Sequence, residues 1–136
     1  MNKDYLIVED SSERLKLIAK HFDNFIGKTF DIAYKSSQAI SLLKENTYHC
    51  IFLDHDLEEE HYENEKSYSG TGQEVCRFIV DNKIEVPRIV IHSLNPVGRD
   101  RMMGILDEGD YDYLSKPFFW DWRYGNKIRK YASFDE

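Results

Sequence analysis

Apolar residues along the chain fall into five short runs, each ending in polar residues and each followed by a stretch with helical spacing. Tyr5 to Val8 is apolar and β-rich, then Glu9, Asp10, Ser11 and Ser12 follow, either serine suited to cap a helix. Leu15, Ile18, Ala19, Phe22, Phe25 and Ile26 recur with helical period, and Gly27 is placed to stop that helix through a left-handed cap. Phe30 to Tyr34 predicts a second strand. Ser36 or Ser37 then caps a short helix carrying Ala39, Ile40, Leu42 and Leu43 and ending near Asn46. In Ile51 to Leu57, IFLDHDL, the apolar residues break abruptly into Asp54, His55 and Asp56. Such a run, preceded by Cys50, predicts a strand buried on both faces.

Rhythm fails once, in the acidic and polar stretch LEEEHYENEKSYSGTG (57–72), which ends with Gly70 and Gly72. Its length exceeds an ordinary strand-to-helix connection and predicts a functional flap. A third helix is expected from about Thr71 to Asn82, with Val75, Phe78 and Ile79 as its buried stripe. Val86 and Pro87 introduce the strand Ile89 to Ile91. A fourth helix begins at Pro96 or Val97, turns Met103 and Leu106 inward and closes at Gly109, before a strand from Tyr111 to Leu114. Lys116 and Pro117 end that strand. The stretch 118–136 predicts a fifth helix with an aromatic start, bent near Gly125, and a frayed tail.

Five strand-helix units predict one doubly wound parallel sheet of strand order 2-1-3-4-5, with helices on both faces. In such sheets ligands bind beyond the carboxyl ends of the strands, where the strand order reverses. That crevice lies between strands one and three. Glu9, Asp10, Asp54 and Asp56 would converge there, and two like charges about 4 Å apart repel by roughly 4 kcal/mol at an effective dielectric near 20. The four carboxylates are therefore candidate ligands for a hard divalent ion, Mg²⁺, which leaves positions open for phosphate oxygens. Lys116 is placed to balance a bound phosphoryl group.

Composition narrows the partners. At 136 residues the chain holds one domain with one core, 1–136. Its 25 acidic against 18 basic residues, a formal charge of −7, argue against general nucleic-acid binding. No apolar run reaches membrane-spanning length, and no secretory signal opens the chain. Cys50 and Cys76 fall in apolar segments and read as buried thiols, which suits a cytoplasmic protein.

The acidic pair Glu9 and Asp10, the strand-end Asp54, and Lys116-Pro117 followed by Phe118 together resemble the receiver domain of two-component response regulators, across nearly the whole chain. The resemblance implies that Glu9 and Asp10 help hold Mg²⁺, that Asp54 accepts a phosphoryl group as a carboxylate nucleophile, and that Lys116 contacts it. Receivers usually carry Thr or Ser and then a small residue at the end of strand four, where this chain has His92 and Ser93. The LDHDL stretch together with HSLNPVGR (92–99) is similar to a narrower group, the cyclic-phosphate-processing receiver-like domains. That likeness implies a pocket in which His55, His92, Ser93, Asn95 and Arg99 handle a phosphate ester, with Asp54 and His92 as its catalytic pair.

Three functions follow as expectations. The first is a stand-alone Mg²⁺-dependent pocket that binds or processes a phosphate ester, such as a cyclic nucleotide phosphate, as a metal-dependent phosphoesterase if it turns over. The replaced switch position and the flap favour it. The second is a single-domain response regulator phosphorylated on Asp54 by a histidine kinase. The third is a pseudo-receiver that binds a protein through the carboxyl-terminal aromatic surface of Trp120, Trp122 and Tyr124; homodimerisation stays open. Plainer roles stand beside these. Asp56 also suits a loop cap and His55 a surface position; Ser93 and Asn95 suit a turn, and Arg99 and Arg101 a solvated helix face.

Overall fold

A computed structural model describes residues 2–21, 27–57, 70–117 and 125–133. Strands and helices alternate: β1 (Asn2–Val8), α1 (Ser12–His21), β2 (Phe30–Ala33), α2 (Ser36–Glu45), β3 (Thr47–Leu53), α3 (Gly72–Asp81), β4 (Arg88–Ile91), α4 (Pro96–Glu108), β5 (Leu114–Ser115) and α5 (Gly125–Ala132). The five strands form one parallel sheet in the order β2-β1-β3-β4-β5, as the strand-helix alternation predicts.

Because successive strand residues face opposite sides, each central strand supplies two cores, one on each face of the sheet, rather than the single core expected from the chain length. Leu6, Val8, Ile51, Leu53, Ile89 and Ile91 face α2, α3 and α4, where Ala39, Leu43, Val75, Cys76, Ile79, Met102 and Leu106 close over them. Tyr5, Ile7, Cys50, Phe52 and Val90 face the other way, against Ile18 of α1 and Ile128 and Ala132 of α5. Each fully buried aliphatic side chain contributes about 1.5–3 kcal/mol by leaving water. The Tyr5 hydroxyl donates to the Ala132 carbonyl at 2.7 Å, tying α5 to the first strand. Both cysteines are buried free thiols, and burial pushes each thiol well above its ordinary range.

Several boundaries differ from the sequence expectation, for local reasons. β1 starts at Asn2, because the polar residues ahead of Tyr5 still pair with β3 at the sheet's exposed end. Ser36 lies inside α2 rather than capping it: the cap position is Lys35, and the Ser36 hydroxyl reaches across to donate to Glu74 at 2.7 Å. In α3 Cys76 is buried while Phe78 is partly covered, and in α4 Met102 takes the inner position expected of Met103. The last strand shrinks to Leu114–Ser115 because the Tyr111 amide donates back to the Leu106 carbonyl, at 3.2 Å, closing the end of α4 instead of pairing in the sheet. Gly27 has a φ of +72°, in the left-handed region that glycine adopts without strain, but its expected role in stopping α1 depends on residues 22–26, which lie outside the described residues. Phe22, Phe25, Ile26, most of the flap (58–69), Phe118, Trp120, Trp122 and Tyr124 lie outside the described residues.

Register sets the chemistry. Val8 pairs with Leu53, Leu53 with Ile91, and Ile91 with Ser115, so the four strands end level. One residue further, the amide of Asp54 donates to Val8, that of His92 to Leu53 and that of Lys116 to Ile91, all at 3.0–3.1 Å. Glu9 likewise donates to Ala33 at 3.0 Å. Glu9, Asp54, His92 and Lys116 thus form one row along the carboxyl edge of the sheet.

Candidate functional site

Glu9 is fully buried, and a buried carboxylate requires compensation. Arg14, one turn into α1, supplies it. Its Nε donates to Glu9 Oε1 at 2.7 Å and its Nη2 to Oε2 at 2.9 Å, a bidentate pair. Nη2 also donates to Asp54 Oδ2 at 3.1 Å and lies 3.9 Å from Asp10 Oδ1. The Ser11 amide adds a further bond to Glu9 Oε2, while the Ser11 hydroxyl accepts from the Arg14 amide at the start of the helix. Among the described contacts, one guanidinium therefore faces three carboxylates, a deficit of positive charge.

Electrostatics of the cluster follow from that deficit. Burial raises the Glu9 carboxyl, but the Arg14 hydrogen bonds and the nearby charges bring it below its ordinary value, so Glu9 stays ionised. Asp54, only 3% exposed, is pushed up to about 8 by burial and then by Glu9, with Arg14 and the His55 amide opposing. Burial and Glu9 also raise Asp10. His92, fully enclosed, is driven down to about 4 by burial, so its ring is neutral at pH 7.

A second network surrounds the loop after Asp54. The His55 amide donates to Asp54 Oδ1 at 2.9 Å. The His55 ring is 7% exposed, against the surface position that its place in the loop suggests: Nδ1 lies 2.8 Å from Asp56 Oδ1, and Nε2 lies 2.8 Å from Gln73 Nε2. Asn95 Nδ2 reaches the same Asp56 oxygen at 3.3 Å, while Asn95 Oδ1 accepts from the Gly98 amide and caps α4. Asp56 is thereby directed to His55 and Asn95. Gly72 and Gly98 pack too closely for any side chain: a Cβ on Gly72 would strike the Asp54 carbonyl, and one on Gly98 the His55 ring.

The fold brings Glu9, Asp54 and His92 together: one ligand atom from each lies within 4.8 Å of the other two. Two carboxylates and an imidazole, already gathering a guanidinium, fit a divalent cation. The amide of Asn95 donates to the Ser93 hydroxyl, and Arg99 Nη1 approaches the Ser93 carbonyl at 3.4 Å. Lys116 follows β5 in the same row, and Arg14 donates to Asp54 from α1. Sequence reasoning missed Arg14 and Gln73. Only the spacing of Arg14 from Asp10, four residues along a helix, hinted at the first; nothing local marked the second.

No curated protein sequence matches the chain. Solved structures share its fold. The receiver domain of the Francisella response regulator 1452 is 20% identical, with a TM-score of 0.65, over 96% of this chain and 93% of that one. The receiver domain of the sensor histidine kinase PA1611 from Pseudomonas aeruginosa PAO1, whose structure has a magnesium ion coordinated in the active site cleft, is 20% identical at a TM-score of 0.64, over 97% and 95%. The phosphorylated cyanobacterial phytochrome response regulator RcpA is 14% identical at 0.62, over 97% and 89%. Among the described residues no helix is long and apolar enough to cross a membrane. The profile of the cyclic-phosphate processing receiver domain matches residues 2–108, four strands with their connecting helices and the whole Glu9, Asp54 and His92 cluster, and the chain belongs to that family.

Proposed function

We infer that the pocket at the carboxyl edge of the sheet binds a phosphate ester, with a cyclic nucleotide phosphate as the foremost candidate, together with a divalent ion such as Mg²⁺. The observation that carries this reading is the excess of carboxylate over cation in a buried cluster at the switch point of the sheet. Family membership supports the choice of ester. Glu9, Asp10 and Asp54 are the residues to hold the ion, which when bound would polarise a phosphoryl oxygen.

The rest falls to the chain itself. Ser93 and Asn95 border the cluster where α4 begins, beside a helix end that favours anions. Lys116 supplies positive charge from the end of β5, and Arg99 from the first turn of α4. Neutral His92 offers a nitrogen beside Glu9. The test is phosphorus NMR of cyclic nucleotides titrated with the protein and Mg²⁺. A shifted or broadened signal, or conversion to the linear monoester, is expected for the wild type and lost in Asp54→Asn. Unchanged spectra across a panel of cyclic and linear esters would sink the reading.

A second reading has its own observation. Asp54 follows the central strand β3 at the position from which a receiver accepts phosphate, and that reading makes a histidine kinase the partner. In this protein both Asp54 oxygens are engaged, by Arg14 and by the His55 amide, which weighs against Asp54 as a free nucleophile. Intact mass after incubation with acetyl phosphate and Mg²⁺ decides: one phosphoryl adduct, absent in Asp54→Ala, would make phosphorylation the leading function.

A further inference from the structure

His92 sets this pocket apart from one built of oxygen ligands alone. Its ring is 1% exposed, packed beside Phe52 with ring centroids 6.4 Å apart. From there Nδ1 points at Glu9 Oε1 from 3.6 Å, beyond hydrogen-bond length. Asp54 completes a set whose ligand atoms lie within 4.8 Å of one another. All three residues are mounted on strand ends by backbone bonds, Glu9 to Ala33, Asp54 to Val8 and His92 to Leu53, so the donors are held by the sheet rather than by a loop.

A second observation points to a positive ligand. The guanidinium of Arg14 already bridges Glu9 and Asp54, so the two carboxylates gather a cation within the protein itself. Arg14 is reached by solvent, with 28% of its side chain exposed, whereas Glu9 and His92 are not. The tethered cation has a way out to solvent. Mg²⁺ prefers oxygen ligands in octahedral geometry, while imidazole nitrogen favours zinc, cobalt and iron, and three protein ligands leave room for a substrate oxygen.

We propose that Glu9, Asp54 and His92 form a mixed oxygen and nitrogen site that selects a first-row transition ion over Mg²⁺, the ion displacing the Arg14 guanidinium as it enters. The proposal rests on the reading of this pocket as a cation-dependent phosphate-ester site and names the ion it takes. His92 is then a ligand rather than a mobile proton carrier, and Arg14 holds the carboxylates in the metal-free protein.

The test is calorimetric titration of the chelator-treated full chain with Co²⁺, Zn²⁺ and Mg²⁺, using wild type, His92→Gln and Arg14→Ala. One Co²⁺ per chain is expected, with affinity falling at least about tenfold in His92→Gln while Mg²⁺ affinity stays within about twofold. Arg14→Ala should bind both ions more tightly. Co²⁺ and Mg²⁺ affinities that change together in His92→Gln would overturn the selection, and unchanged affinities in Arg14→Ala would overturn the displacement. Should His92→Gln fail to fold, the wild type carries the test alone. Bound Co²⁺ must then move one histidine ring resonance far outside the diamagnetic range, and ordinary shifts for all five histidines would sink the proposal. Ester binding with Mg²⁺ but without any His92 effect overturns only this inference, whereas an ester that binds with no ion at all overturns the functional reading beneath it.

Discussion

Two polar networks sit side by side at the carboxyl edge of the sheet, and they are built on opposite rules. Around His55, each ring nitrogen has a neighbour at 2.8 Å, and Asp56, Gln73 and Asn95 close a bracket between the β3 loop and the start of α4. Around Glu9, three carboxylates share one guanidinium, and Asp54 is raised to about 8 as a result of its burial and of Glu9. The first network is satisfied; the second, among its described contacts, has three carboxylates to one guanidinium. A buried group whose environment opposes its ordinary ionisation marks a candidate site, and a satisfied one marks architecture. His55, between two aspartates, has both ring nitrogens engaged within the first network.

Substitutions separate the two. The largest effect is expected in the bracket: Gly72→Ala pushes a methyl group into the Asp54 carbonyl, which the backbone cannot yield, and should cost about 3 kcal/mol in urea unfolding. A cost under 1 kcal/mol would mean that the loop is looser than the contacts imply. Next is Arg14→Ala, which leaves Glu9 and Asp54 without their counter-ion. A fully buried pair costs about 3–5 kcal/mol to break, and the partial exposure of Arg14 lowers the expectation to about 2 kcal/mol at pH 8. Added divalent ion should restore part of that loss in thermal unfolding, and a loss indifferent to the ion would argue against shared ligands.

Asp54→Asn should act in the opposite direction. Unfolded Asp54 ionises near pH 4, whereas in the fold it holds its proton up to about 8. Unfolding therefore releases a proton between these values, and native stability falls as pH rises through that window. Asparagine carries no charge and keeps an oxygen for the His55 amide, so the variant should be more stable than wild type by roughly 1–2 kcal/mol at pH 8 in chelator, with the gain vanishing near pH 4. Equal or lower stability at pH 8 would refute the burial argument. The smallest effect is expected for Gln73→Ala, about 1 kcal/mol from the lost His55 contact, with cation affinity unchanged. A large change in cation affinity there would join the two networks into one site.

Much of the architecture was legible in the chain because it depends on neighbours in sequence. Apolar runs of strand length, helical spacing and a break such as Gly109 are local signals, and they point to a doubly wound parallel sheet, for which 2-1-3-4-5 is one common order. That order already places Glu9, Asp54, His92 and Lys116 at strand ends, so the row of candidate residues could be read from the sequence as well. Fine boundaries could not, since whether Met102 or Met103 turns inward, or whether the Tyr111 amide pairs in the sheet or closes the end of α4, depends on what packs opposite.

What the tertiary structure alone decided is which cation meets which acid. Arg14 and Asp54 are 40 residues apart, and Gln73 and His55 are 18 apart. No periodicity links such pairs. Long side chains with several rotatable bonds reach partners that only the packed sheet and its flanking helices define, so Arg14, which the sequence did not single out, becomes the counter-ion of a buried carboxylate.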